Sequence, residues 1–122
     1  LQAAAPLRKC LFFPDRPAGA AEDRGLTTLG VFLKYLDSAR RSCDVCVYTI
    51  TDDRISRRLL DAHRHRKVRV RVITDGEQCA ALGSDIAELR GAGIEVRADH
   101  TPHHMHHKFC VLDGSVLMNG SF

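Results

Sequence analysis

The sequence contains no tryptophan, only 6% aromatic residues and no obvious aromatic cluster. No apolar run approaches the roughly 20 residues of a membrane-spanning helix, and "LQAAAPLRKC" lacks the apolar core of a signal peptide. A large surplus of one charge is also missing. The net charge of +3 permits a phosphate-bearing partner without demanding one, whereas a domain that coats DNA in bulk is usually more basic. The 44% hydrophobic and 27% charged residues are ordinary for a globular protein and do not suggest disorder, and 122 residues suit one domain, 1–122, able to bury a core.

A second CxxC is absent, so Cys43 and Cys46 in "SCDVCVYTI" have no mate for a zinc ribbon. That stretch alternates and is rich in β-branched residues, which favours small buried thiols in a strand. Five cysteines, an odd number set mostly in or beside apolar runs, point to a reducing compartment.

Strand and helix patterns alternate along the chain. "LRKCLFF" (7–13) predicts a first strand ended by Pro14, and the Pro, Gly and charge-rich residues 14–25 predict a loop. Leu26, Leu29, Leu33 and Leu36 then share one face of a predicted helix, which Gly30 weakens slightly. A doubly buried strand follows at 43–51. Asp52 and Asp53 stand where the next helix begins, and Ile55, Leu59 and Leu60 give it an apolar side. Residues 67–74, "KVRVRVIT", predict a strand, Ser84 a helix cap, "IEVRA" another strand, and Asp113-Gly114 the turn of a closing hairpin. Together these elements predict an α/β domain whose sheet is mixed but largely parallel and flanked by helices.

Chemistry concentrates in "HHMHHKFCVLDGSVLMNGSF" (103–122). His103, His104, His106 and His107 could attract zinc or nickel, but neighbours on a strand point to opposite faces and no carboxylate or cysteine spacing completes a ligand set. Read with a period of two, His106 and Lys108 share a face with Cys110 and Leu112, while His107, Phe109 and Val111 take the other. Asp113 sits at the turn, and Gly120-Ser121 ends the returning strand. A histidine nucleophile beside a cation, with a serine hydroxyl on the adjacent strand, suits attack on a phosphodiester without a metal. Five residues at fixed spacing coincide by chance roughly once in a few million starting positions at average usage.

At His106, Lys108, Asp113, Gly120 and Ser121 the chain resembles the phospholipase D superfamily, whose signature is HxKxxxxDxxxxxxGS followed one residue later by Asn. "MHHKF", "CLFFP", "VRVRVITD" and "LRGAGIEVR" extend the resemblance from Cys10 to Phe122, towards the mitochondrial branch found in animals. It implies a phosphodiesterase in which His106 attacks phosphorus to give a phosphohistidine, Lys108 neutralises the phosphate and Asp113 supports the local geometry. Gly120 and Ser121 would bind substrate phosphate. No metal or other cofactor is implied, and some members' Cys/His zinc element is not expected, since 14–42 lacks both residue types. Two motifs are needed and this chain has one, so the resemblance implies a homodimer with its active site on the two-fold axis. It also implies the cytosol-facing mitochondrial outer membrane, with no anchor in these residues. The start at Leu1 without methionine suggests an amino end trimmed relative to the natural protein, and the stop at Phe122 suggests a missing carboxy-terminal part and a fragment of doubtful activity.

Within that class the substrate is either single-stranded nucleic acid, as in piRNA processing, or cardiolipin at a membrane surface. A nuclease needs a basic groove, and a lipid hydrolase needs an apolar mouth. Arginines and histidines near the site, with Arg69 and Arg71 as candidates for a phosphate groove, and the shortage of aromatics favour nucleic acid. A non-catalytic phosphate-binding module would not need His106, and a histidine-rich metal binder would be separated from both by a chelator.

Overall fold

A computed structural model describes residues 8–14 and 27–121. Helix α1 (Thr28–Asp37) starts where the Thr27 side chain accepts a hydrogen bond from the Gly30 amide at 3.0 Å. Its apolar stripe buries Leu29, Leu33 and Leu36, as the spacing predicts, while Leu26 and the loop residues 15–25 lie outside the described residues. Strand β1 (Ser42–Val47) follows, then α2 (Asp53–Arg64). Asp52 caps α2 by accepting from the Arg54 amide at 2.9 Å.

The remaining elements are β2 (Arg69–Thr74), a single 3-10 turn (Gln78–Ala80), α3 (Ile86–Gly91), β3 (Glu95–Ala98), β4 (Lys108–Leu112) and β5 (Val116–Asn119). Ser84 lies one residue before the start expected of a cap. Its hydroxyl is 3.5 Å from the Ile86 amide, and Asp85 occupies the capping position without a side-chain bond.

Spatial order in the sheet is β3-β2-β1-β4-β5. β1, β2 and β3 pair in parallel, β4 runs antiparallel to β1, and β5 antiparallel to β4, so four of the five strands share one direction. The β4–β5 hairpin turns through Asp113 and Gly114, both left-handed at φ 53° and 68°, the conformation for which Asp-Gly is favoured. No strand forms over 8–13. A strand exists only where a neighbour supplies ladder hydrogen bonds, and this apolar run instead half-buries Leu11 and sets Phe13 edge-on to Phe32 at 6.4 Å.

α1 packs on α2, α2 on β2 and on α3, and α3 on β3, which makes one helical layer. The core lies between that layer and the sheet and includes Leu33, Leu36, Val45, Leu59, Val70, Val72, Leu89 and Leu112. β2 shows the division cleanly: Val70, Val72 and Thr74 are buried, whereas Arg69, Arg71 and Ile73 face outward. Cys43 and Cys46, three apart on β1, therefore point to opposite faces. Cys43 meets Cys110 in the core at 3.5 Å between sulfurs, and Cys46 meets the Met105 thioether at 3.7 Å. The Cys110 thiol is pushed far upward by its contact with Cys43 and by burial, so it behaves as an inert apolar group.

Candidate active site

The carboxyl ends of β1 and β2 and the start of β4 converge on one corner of the sheet. Val47 pairs with both Lys108 and Thr74, and the chain beyond each strand end builds the site. The Tyr48 amide donates to the His107 carbonyl at 2.9 Å, and the Thr74 hydroxyl donates to the Tyr48 carbonyl at 3.0 Å. These bonds fix Tyr48 between the two neighbouring strands.

The Lys108 ammonium stands 3.1 Å from Nδ1 and 3.2 Å from Nε2 of His106, and 3.3 Å from the His106 carbonyl oxygen. In a neutral imidazole the ammonium donates to the ring nitrogen that carries the lone pair, and that nitrogen becomes free to act as a nucleophile once the ammonium turns to a phosphate oxygen. The Tyr48 ring packs against His106 with centroids 4.7 Å apart, and the Lys108 ammonium lies 5.7 Å from the same ring. His106 is exposed and Lys108 half-buried, so the imidazole is open to substrate while the cation is held.

Gly120 and Ser121 follow β5. The Gly120 amide donates to the Lys108 carbonyl at 3.1 Å, and its φ of 155° is a conformation that side-chain-bearing residues rarely adopt. This bond sets the Gly-Ser step beside β4. Lys108, Tyr48, Asn119, Gly120 and Ser121 all line one cavity of about 700 Å³. Its other walls are largely apolar and include Phe13, Phe32, Val47, Phe109 and Met118.

Asp113 is not brought to this group. It lies at the opposite end of β4, where its carboxylate accepts from the amides of Arg40 (2.9 and 3.1 Å), Arg41 (2.7 Å) and Ser42 (2.9 Å). Those amides of Ser42, Arg41 and Arg40 hold its carboxyl below the usual carboxylate range. Asp113 thus ties the β4–β5 turn to the loop between α1 and β1.

Arg69 and Arg71 do not line the site either. Arg69 pairs with Ser42 at the start of β1, and Arg71 is ion-paired with Asp44 at 2.7 Å. His107 faces Phe109 at 6.0 Å between centroids, on the side of β4 that the alternation assigns to it. No three His, Cys, Asp or Glu side chains converge as a metal-ligand set among the described residues.

Two residues of this corner escape the motif. Tyr48 supplies the ring that touches His106, and Asp75, 1% exposed, accepts from the Met105 amide at 2.9 Å just before it. One signal was available: an aspartate ending an apolar strand at its carboxyl end is where open α/β sheets place their sites.

A five-stranded mixed sheet with a His-x-Lys pair at the entry to its last hairpin fits the phospholipase D type of phosphodiesterase fold. The family model described as the PLD-like domain of cardiolipin synthase matches residues 32–122, and the chain belongs to that family. The chain is 48% identical to the mitochondrial cardiolipin hydrolase of Chlamydomonas reinhardtii over 92% of its own length and 56% of that protein's. It is 39% identical to the mitochondrial cardiolipin hydrolase of Homo sapiens over 95% of its length and 54% of that protein's. The chain therefore spans little more than half the length of these curated relatives. Among solved structures, the phospholipase D family member Nuc of Salmonella typhimurium matches with a TM-score of 0.70 and 26% identity, over 79% of this chain and 64% of that one.

Proposed function

We propose that the protein is a metal-independent phosphodiesterase that works through a phosphohistidine and hydrolyses cardiolipin-type phospholipids. The observation that carries the chemistry is the Lys108 ammonium held 3.1–3.2 Å from the nitrogens of an exposed His106 imidazole. The lone-pair nitrogen attacks phosphorus, and the bond to the leaving alkoxide breaks. A second His106, from the two-fold mate, gives the leaving oxygen its proton and then takes one from the water that releases phosphate from the first histidine. Lys108 and the Ser121 hydroxyl bind the phosphate oxygens on which charge accumulates. Asp113 acts at a distance, as a positioning residue.

Three observations support a lipid over a polynucleotide. Arg69 and Arg71 pair with the first half of β1, away from Lys108, and add no positive charge to its cavity. The cavity wall beside Lys108 is apolar. Relatives matching more than nine-tenths of the chain carry the name mitochondrial cardiolipin hydrolase. The same relatives support a mitochondrial location, and the outer membrane facing the cytosol is the placement we infer. Among the described residues no helix is long and apolar enough to cross a membrane.

The test uses the protein at its natural length, cardiolipin vesicles, labelled single-stranded RNA, excess EDTA and His106→Ala. Phosphatidic acid release that survives the chelator and disappears in the variant is the expected result. RNA cleavage without lipid turnover would assign the same chemistry to nucleic acid, and activity lost to EDTA would overturn the metal-independent mechanism.

A further inference from the structure

The loop that carries the nucleophile is fastened by a carboxylate that the mechanism leaves unused. Asp75 is 1% exposed, and each of its oxygens has two partners. One oxygen accepts from the amides of Glu77 (3.0 Å) and Gln78 (3.2 Å). The other accepts from the Met105 amide (2.9 Å) and faces Nδ1 of His104 at 3.5 Å. Burial alone would raise the Asp75 pKa, but the Met105, Gln78 and Glu77 amides and His104 bring it below the ordinary carboxylate range. The Asp75 carboxylate thus lies directly against His104, its charge favoured by those three amides.

His104 itself is open, with 57% of its side chain exposed. Glu77 approaches the same Nδ1 at 3.9 Å, so both carboxylates address one nitrogen and the ring presents Nε2 to the other side. The Tyr48 ring meets His104 edge-on at 5.6 Å and His106 at 4.7 Å. The two imidazoles therefore flank a single ring, one beside Lys108 and the other beside a buried carboxylate. A solvated surface histidine would have neither the buried partner nor the aromatic backing.

We propose that His104, oriented by Asp75 and Tyr48, binds a second phosphate of the substrate while His106 and Lys108 engage the scissile one. This rests on the phosphodiesterase reading of the site and adds a specificity to it: diesters bearing two phosphates are preferred over those bearing one. An imidazole protonated on both nitrogens donates through Nδ1 to Asp75 and through Nε2 to the phosphate, so the pair acts as a relay of charge-assisted hydrogen bonds. Cardiolipin, with two phosphodiesters joined by one glycerol, has that chemistry, and phosphatidylglycerol, with one, does not.

The test is equilibrium binding, which does not require turnover. Natural-length protein carrying His106→Ala is titrated with bis(glycerophospho)glycerol and with glycerophosphoglycerol, the deacylated two- and one-phosphate headgroups. The two-phosphate probe should bind about tenfold more tightly, as one charge-assisted contact allows. Adding His104→Ala or Asp75→Asn should reduce that ratio to about twofold or less. Adding His103→Ala should leave it unchanged. Equal affinities with His104 intact, or a ratio that survives His104→Ala, would overturn the proposal. A second arm compares TpTpT with TpT. A two-phosphate gain confined to the thymidylates would refute the lipid assignment. Absent cardiolipin turnover by otherwise wild-type protein would count against the proposed function, separately from this binding result.

Discussion

Asp113 is the motif residue whose role the geometry separates most sharply from chemistry, and Asp113→Asn tests that separation. Five residue steps of a strand place it about 17 Å along β4 from Lys108, beyond any direct contact with a phosphate bound there. What the substitution removes is local. The carboxylate accepts from three consecutive amides at 2.7–3.1 Å, and an asparagine keeps one acceptor oxygen while aiming an NH2 group at the same donors. Stability should therefore fall, whereas turnover per folded molecule, assayed well below the unfolding temperature, should stay within about threefold. Lys108→Ala, which removes the cation at the phosphate, should cost about a hundredfold or more in kcat.

The pH dependence carries a sign that can be checked. The folded Asp113 carboxyl titrates below its unfolded value of about 3.9. Its contribution is complete above that pH and disappears as pH falls through the folded value. Wild type and Asp113→Asn should then differ in denaturation midpoint at pH 7 and converge as pH drops below about 4. A variant with an unchanged midpoint at pH 7, or one that loses activity as severely as Lys108→Ala while still folded, would refute the positioning role.

Two further substitutions probe the frame that holds the site. Leu59→Ala empties a position 1% exposed at the centre of α2 and should cost about 3 kcal/mol in denaturant unfolding, with the spread set by how far the core relaxes. Asp52→Ala removes the cap of α2 and its bonds to the Arg54 guanidinium at 2.8 and 3.0 Å, and should cost about 1 kcal/mol at pH 7. The Arg54 bonds and then the Arg54 and Ile55 amides depress the Asp52 pKa against burial, so that loss should shrink as pH falls through the folded value.

Helices and inner strands were legible because burial on one side leaves a period in the sequence, and α1, α2 and β2 carry that period strongly. The His106–Lys108 pair was legible for a related reason, since two residues apart on a strand means one face by covalent geometry alone. The first strand does not form because an apolar run reports burial, whereas a strand also requires ladder hydrogen bonds to a neighbouring strand, and residues 8–13 half-bury Leu11 and Phe13 outside the sheet. Asp113 shares the motif of His106 and Lys108 without their place, because spacing in a motif carries no distance and an extended strand turns five residues into most of the height of the sheet. Tyr48 and Asp75 directly follow two other strands, β1 and β2, with Asp75 thirty residues from the amide it anchors, and no local pattern connects them.

The arginines raise the largest consequence of what the sequence concealed. Read along the chain, "RHRKVRVRV" beside a histidine-rich tail suggests a basic site, yet parallel strands separate the two groups. Arg69 begins β2 beside Ser42, its amide bonded to the Arg41 carbonyl at 3.0 Å, and Arg66 reaches the Asp37 and Ala39 carbonyls at 2.7 and 3.1 Å. Tyr48, Asp75, His104 and His106 gather at the other end of the same strands. Screening at physiological salt acts over about 8 Å, roughly half the length of such a strand, so the basic end contributes little field where phosphate would bind. On the proposed reading, recognition at the site comes from contacts made there, by Lys108, Ser121 and the Asp75–His104 pair, and a substrate with closely spaced phosphates would satisfy more of them than a long strand held by distant cations.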